Sequence, residues 1–240
     1  MFTRLWNLEA LVVMLGGLAV VVGLALDSDL GWVTWLLAAG WLAISIPLAM
    51  SAQATMIPIY VRWGRFQRAL DLAVAIRESA PSPKIRHIAG IDVAMVQIAM
   101  GRFERALENL ESARVGSFKE GTRALVVANR AYCRAHLGQD LEQALEEAES
   151  ALSMLPEEGI LDYVRGLCLH KLGRNEEARE AIARSLERDP TADLPVPAER
   201  PWIYSRVLAA LDEGEAAAHQ VALARKRMKH SPFREAIEAA

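Results

Sequence analysis

The sequence predicts an all-α molecule: an N-terminal transmembrane helical hairpin followed by an α-solenoid of about four helix pairs and C-terminal capping helices. Three observations point there. Two long stretches near the N-terminus carry no charge, from Ala10 to Leu26 and from Leu30 to Val61. A heptapeptide, GRFQRAL at Gly64 to Leu70, returns as GRFERAL at Gly101 to Leu107. Glycine, alanine and proline then recur in one register along the rest of the chain. The 52% hydrophobic content is concentrated in the first part.

A helix needs about 20 apolar residues to cross ~30 Å of hydrocarbon. The expected spans are residues 8–26 and 31–50, joined by Asp27-Ser28-Asp29. The first is too long for the core of a cleaved signal peptide and no Ala-x-Ala site follows it. Arg4 precedes the hairpin and Arg62, Arg65 and Arg68 follow it, while the connecting loop holds two Asp and no base. Loops rich in Lys and Arg stay in the cytoplasm, so both termini are expected there. Trp6, Trp63 and Arg62 with Arg65 would anchor the cytoplasmic interface, and Trp32 and Trp35 the opposite one. The expected location is a bacterial inner (cytoplasmic) membrane, with lipid among the partners. Residues 51–61 exceed what the second span needs, so the helix should continue out of the bilayer. A hairpin domain over 1–61 thus runs into a solenoid over 51–192.

The solenoid is read from four glycines, Gly64, Gly101, Gly138 and Gly173, at steps of 37, 37 and 35. An alanine follows each: Ala69, Ala106, Ala144 and Ala178. Pro81, Phe118, Pro156 and Pro190 close the units, and Ile57, Ala94, Ala131 and Gly166 precede the glycines by seven residues. Such a unit is a helical hairpin. Small residues let the helices approach, glycine ends the first helix in a left-handed conformation, and proline stops the second. The best unit, LVVANRAYCRAHLGQDLEQALEEAESALSMLP over 125–156, resembles the tetratricopeptide repeat family. The resemblance extends over roughly residues 50–192. It departs from the family where the first-helix Trp, Leu and Tyr are absent or replaced, and where Phe118 stands for proline.

The resemblance implies a protein-binding scaffold whose first helices line a concave groove. The lining positions are Ile91, Met95 and Ile98, then Ala128, Tyr132 and Ala135, then Tyr163, Leu167 and His170. This apolar lining suits an amphipathic or extended apolar segment of a partner. The alternative occupant is the chain's own C-terminal helix or another copy, which would make a homo-oligomer. After Pro190 a Pro-rich break leads into residues 193–240, read as capping helices near Trp202–Asp212 and Glu215–Met228.

No catalytic or metal-ligating constellation is visible. Phosphate-cradling, dinucleotide and nucleophile-elbow motifs are absent, as is HExxH, and the five histidines are scattered. No cofactor is expected. A net charge of −3 argues against a nucleic-acid binder. Cys133 and Cys168 fall five residues before their glycines, where the other units have Ile59 and Val96, so they read as packing residues. Charge is segregated: Arg62 to Arg105 is basic, Gln139 to Val164 holds acids without a base, and Arg225, Lys226, Arg227 and Lys229 form a C-terminal basic cluster. The function expected is a membrane-anchored adaptor that holds a protein partner during assembly or quality control of a membrane complex. The alternative is a stoichiometric structural subunit that packs through its hairpin.

Overall fold

A computed structural model describes residues 36, 39–40, 54–113, 116, 118–189 and 198–239. The expected membrane spans lie outside the described residues, apart from Leu36, Ala39 and Gly40, which are helical and exposed. Among the described residues no helix is long and apolar enough to cross a membrane. Trp6, Trp32, Trp35 and Pro190 also lie outside.

The described residues form antiparallel helical hairpins. α1 covers 54–62, α2 Phe66–Ser79, α3 Pro83–Ala99, α4 Phe103–Glu111, α5 Glu120–Leu137 and α6 Leu141–Met154. α7 is Gly159–Lys171, α8 Asn175–Arg188, α9 Glu199–Ala210, α10 Gly214–Arg227 and α11 Arg234–Glu238. From α2 to α10, each helix packs on the next, and α7 also touches α5 and α9.

Local chemistry explains where the helices stop. Gly64, Gly101, Gly138 and Gly173 all have left-handed φ, between 66° and 78°. In each turn two backbone N–H groups reach back to the helix end. Arg65 N donates to Tyr60 O at 2.8 Å and Gly64 N to Val61 O at 2.9 Å. The same pair of bonds recurs at Gly101, Gly138 and Gly173. This closure satisfies carbonyls that a helix end would leave orphaned, at a φ glycine adopts freely. α2 and α6 end just before Pro81 and Pro156, as their spacing predicts. α4 lacks that proline. There the Arg130 guanidinium donates to Leu110 O at 2.8 Å and Phe118 packs inward. Ser82 starts α3 by accepting from Ile85 N, with Pro83 in the first turn.

The small-residue register is the packing seam. Ala69, Ala94, Ala106, Ala131, Ala144 and Ala178 are fully buried, and Ile57 nearly so. Gly166 shows why size matters. A Cβ there would lie 2.6 Å from Ile182 Cγ1 and 3.3 Å from Ala178 O, so α7 and α8 meet backbone to side chain. Residues 54–62 are helical and Ile57 packs with Ala69, Ala73 and Val93, so the first hairpin begins before Gly64 as the register requires. Cys133 and Cys168 are buried free thiols, both pushed up to about 12 by burial, which suits inert packing residues.

The C-terminal helices are more than a cap. Asp212 sits at φ 60°, and Glu213 N donates to Leu208 O at 2.9 Å, the same closure as at the glycines. Seven residues before Asp212 is buried Ser205 and five after it is buried Ala217, so α9–α10 is a fifth hairpin in the repeat register. The signal was hidden because aspartate replaces glycine, and Asp is one of the few other residues that visit this conformation.

Candidate functional site

The expected groove lies on α3, α5 and α7, the first helices of three successive hairpins, which present one stripe each because i, i+3, i+4 and i+7 fall on one side of a helix. The stripes divide into two halves with different fates.

Towards the turn glycines the groove is filled by the chain itself. Tyr163 and Leu167 are fully buried, Ile98 and Tyr132 nearly so, and Ala128 and Ala135 with them. α9 lies over them. Its first residue, Glu199, is 1% exposed, and its carboxylate collects three groups from the repeats. Tyr132 Oη donates to Oε2 and Tyr163 Oη donates to Oε1 at 2.6 Å. His136 Nε2 is 2.7 Å from Oε1. Burial and the neighbouring Glu199 carboxylate raise both tyrosine hydroxyls well above their usual range, so they remain donors at every physiological pH.

An aromatic stack covers this cluster. The His136 ring lies flat against Phe103, centroids 4.4 Å apart, and against Phe233 at 5.2 Å. Phe233 in turn stacks on Trp202 at 5.3 Å. The segment carrying Phe233 runs back across the early repeats. A Cβ on Gly64 would run into the His230 ring, and one on Gly101 would lie 2.9 Å from Pro232 Cβ. Gly64 and Gly101 therefore serve twice, for backbone conformation and for close approach of the C-terminal segment.

The residues expected to line an open groove are thus partly corrected. Tyr132, Tyr163, Leu167 and Ile98 are core contacts, because α9 supplies the apolar surface and the carboxylate that a partner was expected to supply. His170 is half-buried, its Nδ1 2.8 Å from Asn175 Oδ1, and burial lowers its pKa. Ile91 and Met95 are partly buried against the core. Glu199 and His136 were missed as a pair: one falls beside a Pro-rich break and the other among scattered histidines, and nothing in their spacing joins them.

The other half of the groove is open. Ile85 and Ile88 of α3 are 40% and 42% exposed, and Leu125 of α5 is 45% exposed. Where the two halves meet, Met95, Leu125 and Ile160 share one apolar cleft of about 80 Å³ with Ile98, Tyr132, Tyr163 and Glu199. Among the described residues, Ile85, Ile88 and Leu125 are half of the large exposed apolar side chains, the others being Leu36, Ile59 and Trp63.

Beside Glu199, Arg200 is also 1% exposed. Its Nη1 donates to Ser185 O at 3.3 Å and Ser185 Oγ at 3.2 Å, while Nε and Nη2 have no partner among the described residues. Elsewhere the acidic stretch is partly neutralised. Arg134 bridges Glu111, at 2.6 Å, and Glu147, and Arg165 meets Glu149 at 3.1 Å. Among the described residues no group of three or more His, Cys, Asp or Glu is placed to hold a metal ion.

Residues 134–193 match the tetratricopeptide repeat family. A thermophilic tetratricopeptide repeat protein of Thermus thermophilus has the same fold, with a TM-score of 0.59 and 20% identity over 80% of this chain and 96% of that one. PlcR of Bacillus thuringiensis, solved with a peptide and DNA, gives a TM-score of 0.62 and 13% identity over 78% of this chain and 73% of its own. No curated protein matches the sequence. The fold is an all-helical, tetratricopeptide-type solenoid.

Proposed function

We propose that this chain is a membrane-anchored scaffold that holds an apolar or amphipathic segment of a partner protein at the cytoplasmic face of a membrane, in the assembly or quality control of a membrane complex. The observation that carries the reading is the exposure of Ile85, Ile88 and Leu125 on first helices of the hairpins, with Leu125 bordering the same cleft as Met95 and Ile160. Adjacent exposed apolar side chains on neighbouring helices cost solubility unless a partner covers them. A helix laid across α3 and α5 would meet them at i, i+3, i+4 and i+7 spacing. Anchoring is supported by the two uncharged N-terminal stretches and by the basic residues that flank them.

The test is purification of the full chain from native membranes in mild detergent. Ile88→Glu combined with Leu125→Glu should abolish co-purification of the partner while helicity stays unchanged, because both side chains already face solvent. Equal recovery would sink the reading. A stoichiometric structural subunit is the second reading. The filled half of the groove favours it, since the covered side chains leave less surface for an exchanging partner. A fixed one-to-one complex that survives extraction would select it.

A further inference from the structure

Two basic clusters that are far apart in the sequence meet at one cleft. One is the flank that follows the second apolar stretch, Arg62 and Arg65. The other ends α10 and begins the C-terminal segment, Arg227, Lys229 and His230. The return of that segment over Gly64 brings them together. Between them lies a cleft of about 960 Å³, within the range of roughly 300–1,000 Å³ typical of small-molecule sites. Its floor is apolar, with Ile57, Ile59, Val61, Phe66, Met95 and Val96.

Among the described residues that line it, Asp92 is the one acid. Burial raises the Asp92 carboxyl to about 6, so near neutrality it supplies a single negative charge against the bases gathered here. Arg65, Arg227 and Lys229 share this cleft with one acid; like charges brought together repel one another, and a bound anion relieves that repulsion. An apolar floor beside a cationic rim fits a molecule that carries both an anionic group and a hydrocarbon chain. Trp63 stands exposed at the mouth, with the Arg65 guanidinium 5.4 Å over its ring, as residues at a membrane interface do. The cleft also opens beside the first charged residues after the long apolar stretch ending at Val61.

We propose that this cleft binds one anionic membrane lipid, its phosphate held by Arg65, Arg227 and Lys229 and an acyl chain laid along Ile57, Ile59 and Met95. The site rests on the membrane anchoring proposed above. It makes the C-terminal segment part of the membrane attachment: the lipid ties the fifth hairpin to the first.

The experiment uses the full chain in nanodiscs of phosphatidylcholine containing one part in ten phosphatidylglycerol. After mild detergent release, native mass spectrometry reads the retained lipid. The wild-type chain should retain phosphatidylglycerol at least tenfold above its share. Arg65→Gln, Arg227→Gln and Lys229→Gln together should remove that enrichment. Ile59→Trp, which fills the floor and keeps every charge, should remove it too. Neutralising three exposed bases elsewhere, Arg86, Arg105 and Lys119, should leave it unchanged. Circular dichroism checks that each variant keeps its helices. Enrichment that survives in the cleft variants overturns the proposal, as does equal loss in the distant-base variant. Displacement of the lipid by millimolar inorganic phosphate would also overturn it, marking a simple anion site. A chain that stays out of the discs altogether refutes the anchoring itself, whatever the cleft variants do.

Discussion

Removing the Glu199 carboxylate should release α9 from the repeats. In Glu199→Ala, Tyr132 Oη, Tyr163 Oη and His136 Nε2 lose their shared acceptor in a buried place. A buried polar group left unpaired costs about 1–3 kcal/mol, so three of them cost at least ~3 kcal/mol. Global stability of a domain is only about 5–15 kcal/mol. The cheaper response is local: α9 detaches and water reaches the hydroxyls. The assay is amide hydrogen exchange with mass spectrometry on the full chain, comparing peptides from α9 with peptides from α6 and α8. A loss of ~3 kcal/mol corresponds to about 100-fold faster exchange in residues 199–210, since ~1.4 kcal/mol is tenfold. Glu199→Gln keeps the shape and one acceptor oxygen and should cost about 1–2 kcal/mol. Tyr132→Phe with Tyr163→Phe should slow α9 exchange again when added to Glu199→Ala, because the orphaned hydroxyls are gone. Exchange in α9 of Glu199→Ala within threefold of wild type would refute the latch.

Three further outcomes follow from single positions. Gly166→Ala places a Cβ 2.6 Å from Ile182 Cγ1 and should cost about 1–3 kcal/mol in urea unfolding, with partial rescue by Ile182→Val; no loss would mean that α7 and α8 are not in close approach. Asp212→Gly should stabilise the chain by roughly 0.5–1 kcal/mol, since it removes a side chain from a left-handed φ of 60°. A destabilised Asp212→Gly would contradict the turn geometry. Asp92 has its carboxyl raised to about 6 by burial, above ~3.9 in an unfolded chain. The folded state is therefore unpenalised below pH ~4, loses stability as pH rises from ~4 to ~6, and carries the full penalty, no more than ~3 kcal/mol, above that. Asp92→Asn should flatten this dependence and raise stability at neutral pH; an unchanged pH profile of unfolding would refute it.

The turns and seams of the repeats were legible because they are set by local requirements. Gly64, Gly101, Gly138 and Gly173 were readable as helix stops because glycine adopts a left-handed φ without strain, and all four do so. The alanines that follow them were readable as seam residues because two helices at close approach have no room for more. The cysteines followed from the same register. What escaped was whatever depends on the chain's return path. Asp212 hides a fifth turn because it is an uncommon substitute for glycine, and the Pro-rich stretch before it lengthens the spacing. The groove lining was read as an open surface, but its occupancy depends on Glu199, Trp202 and Phe233 arriving from far along the chain. A carboxylate shared by Tyr132, His136 and Tyr163 has no period to betray it. Likewise the two basic clusters looked like separate flanks until the C-terminal segment was seen to cross Gly64.

The claim that this solenoid holds a partner on its open strip is tested most directly by site-specific crosslinking in intact membranes. A benzophenone amino acid placed at Leu125, 45% exposed on the strip, is compared with one at Glu146, exposed on α6. The expected result is an adduct of one defined mass from Leu125, lost when Ile88→Glu is added, and none from Glu146. Equal adducts from both positions, or none from Leu125, would contradict it.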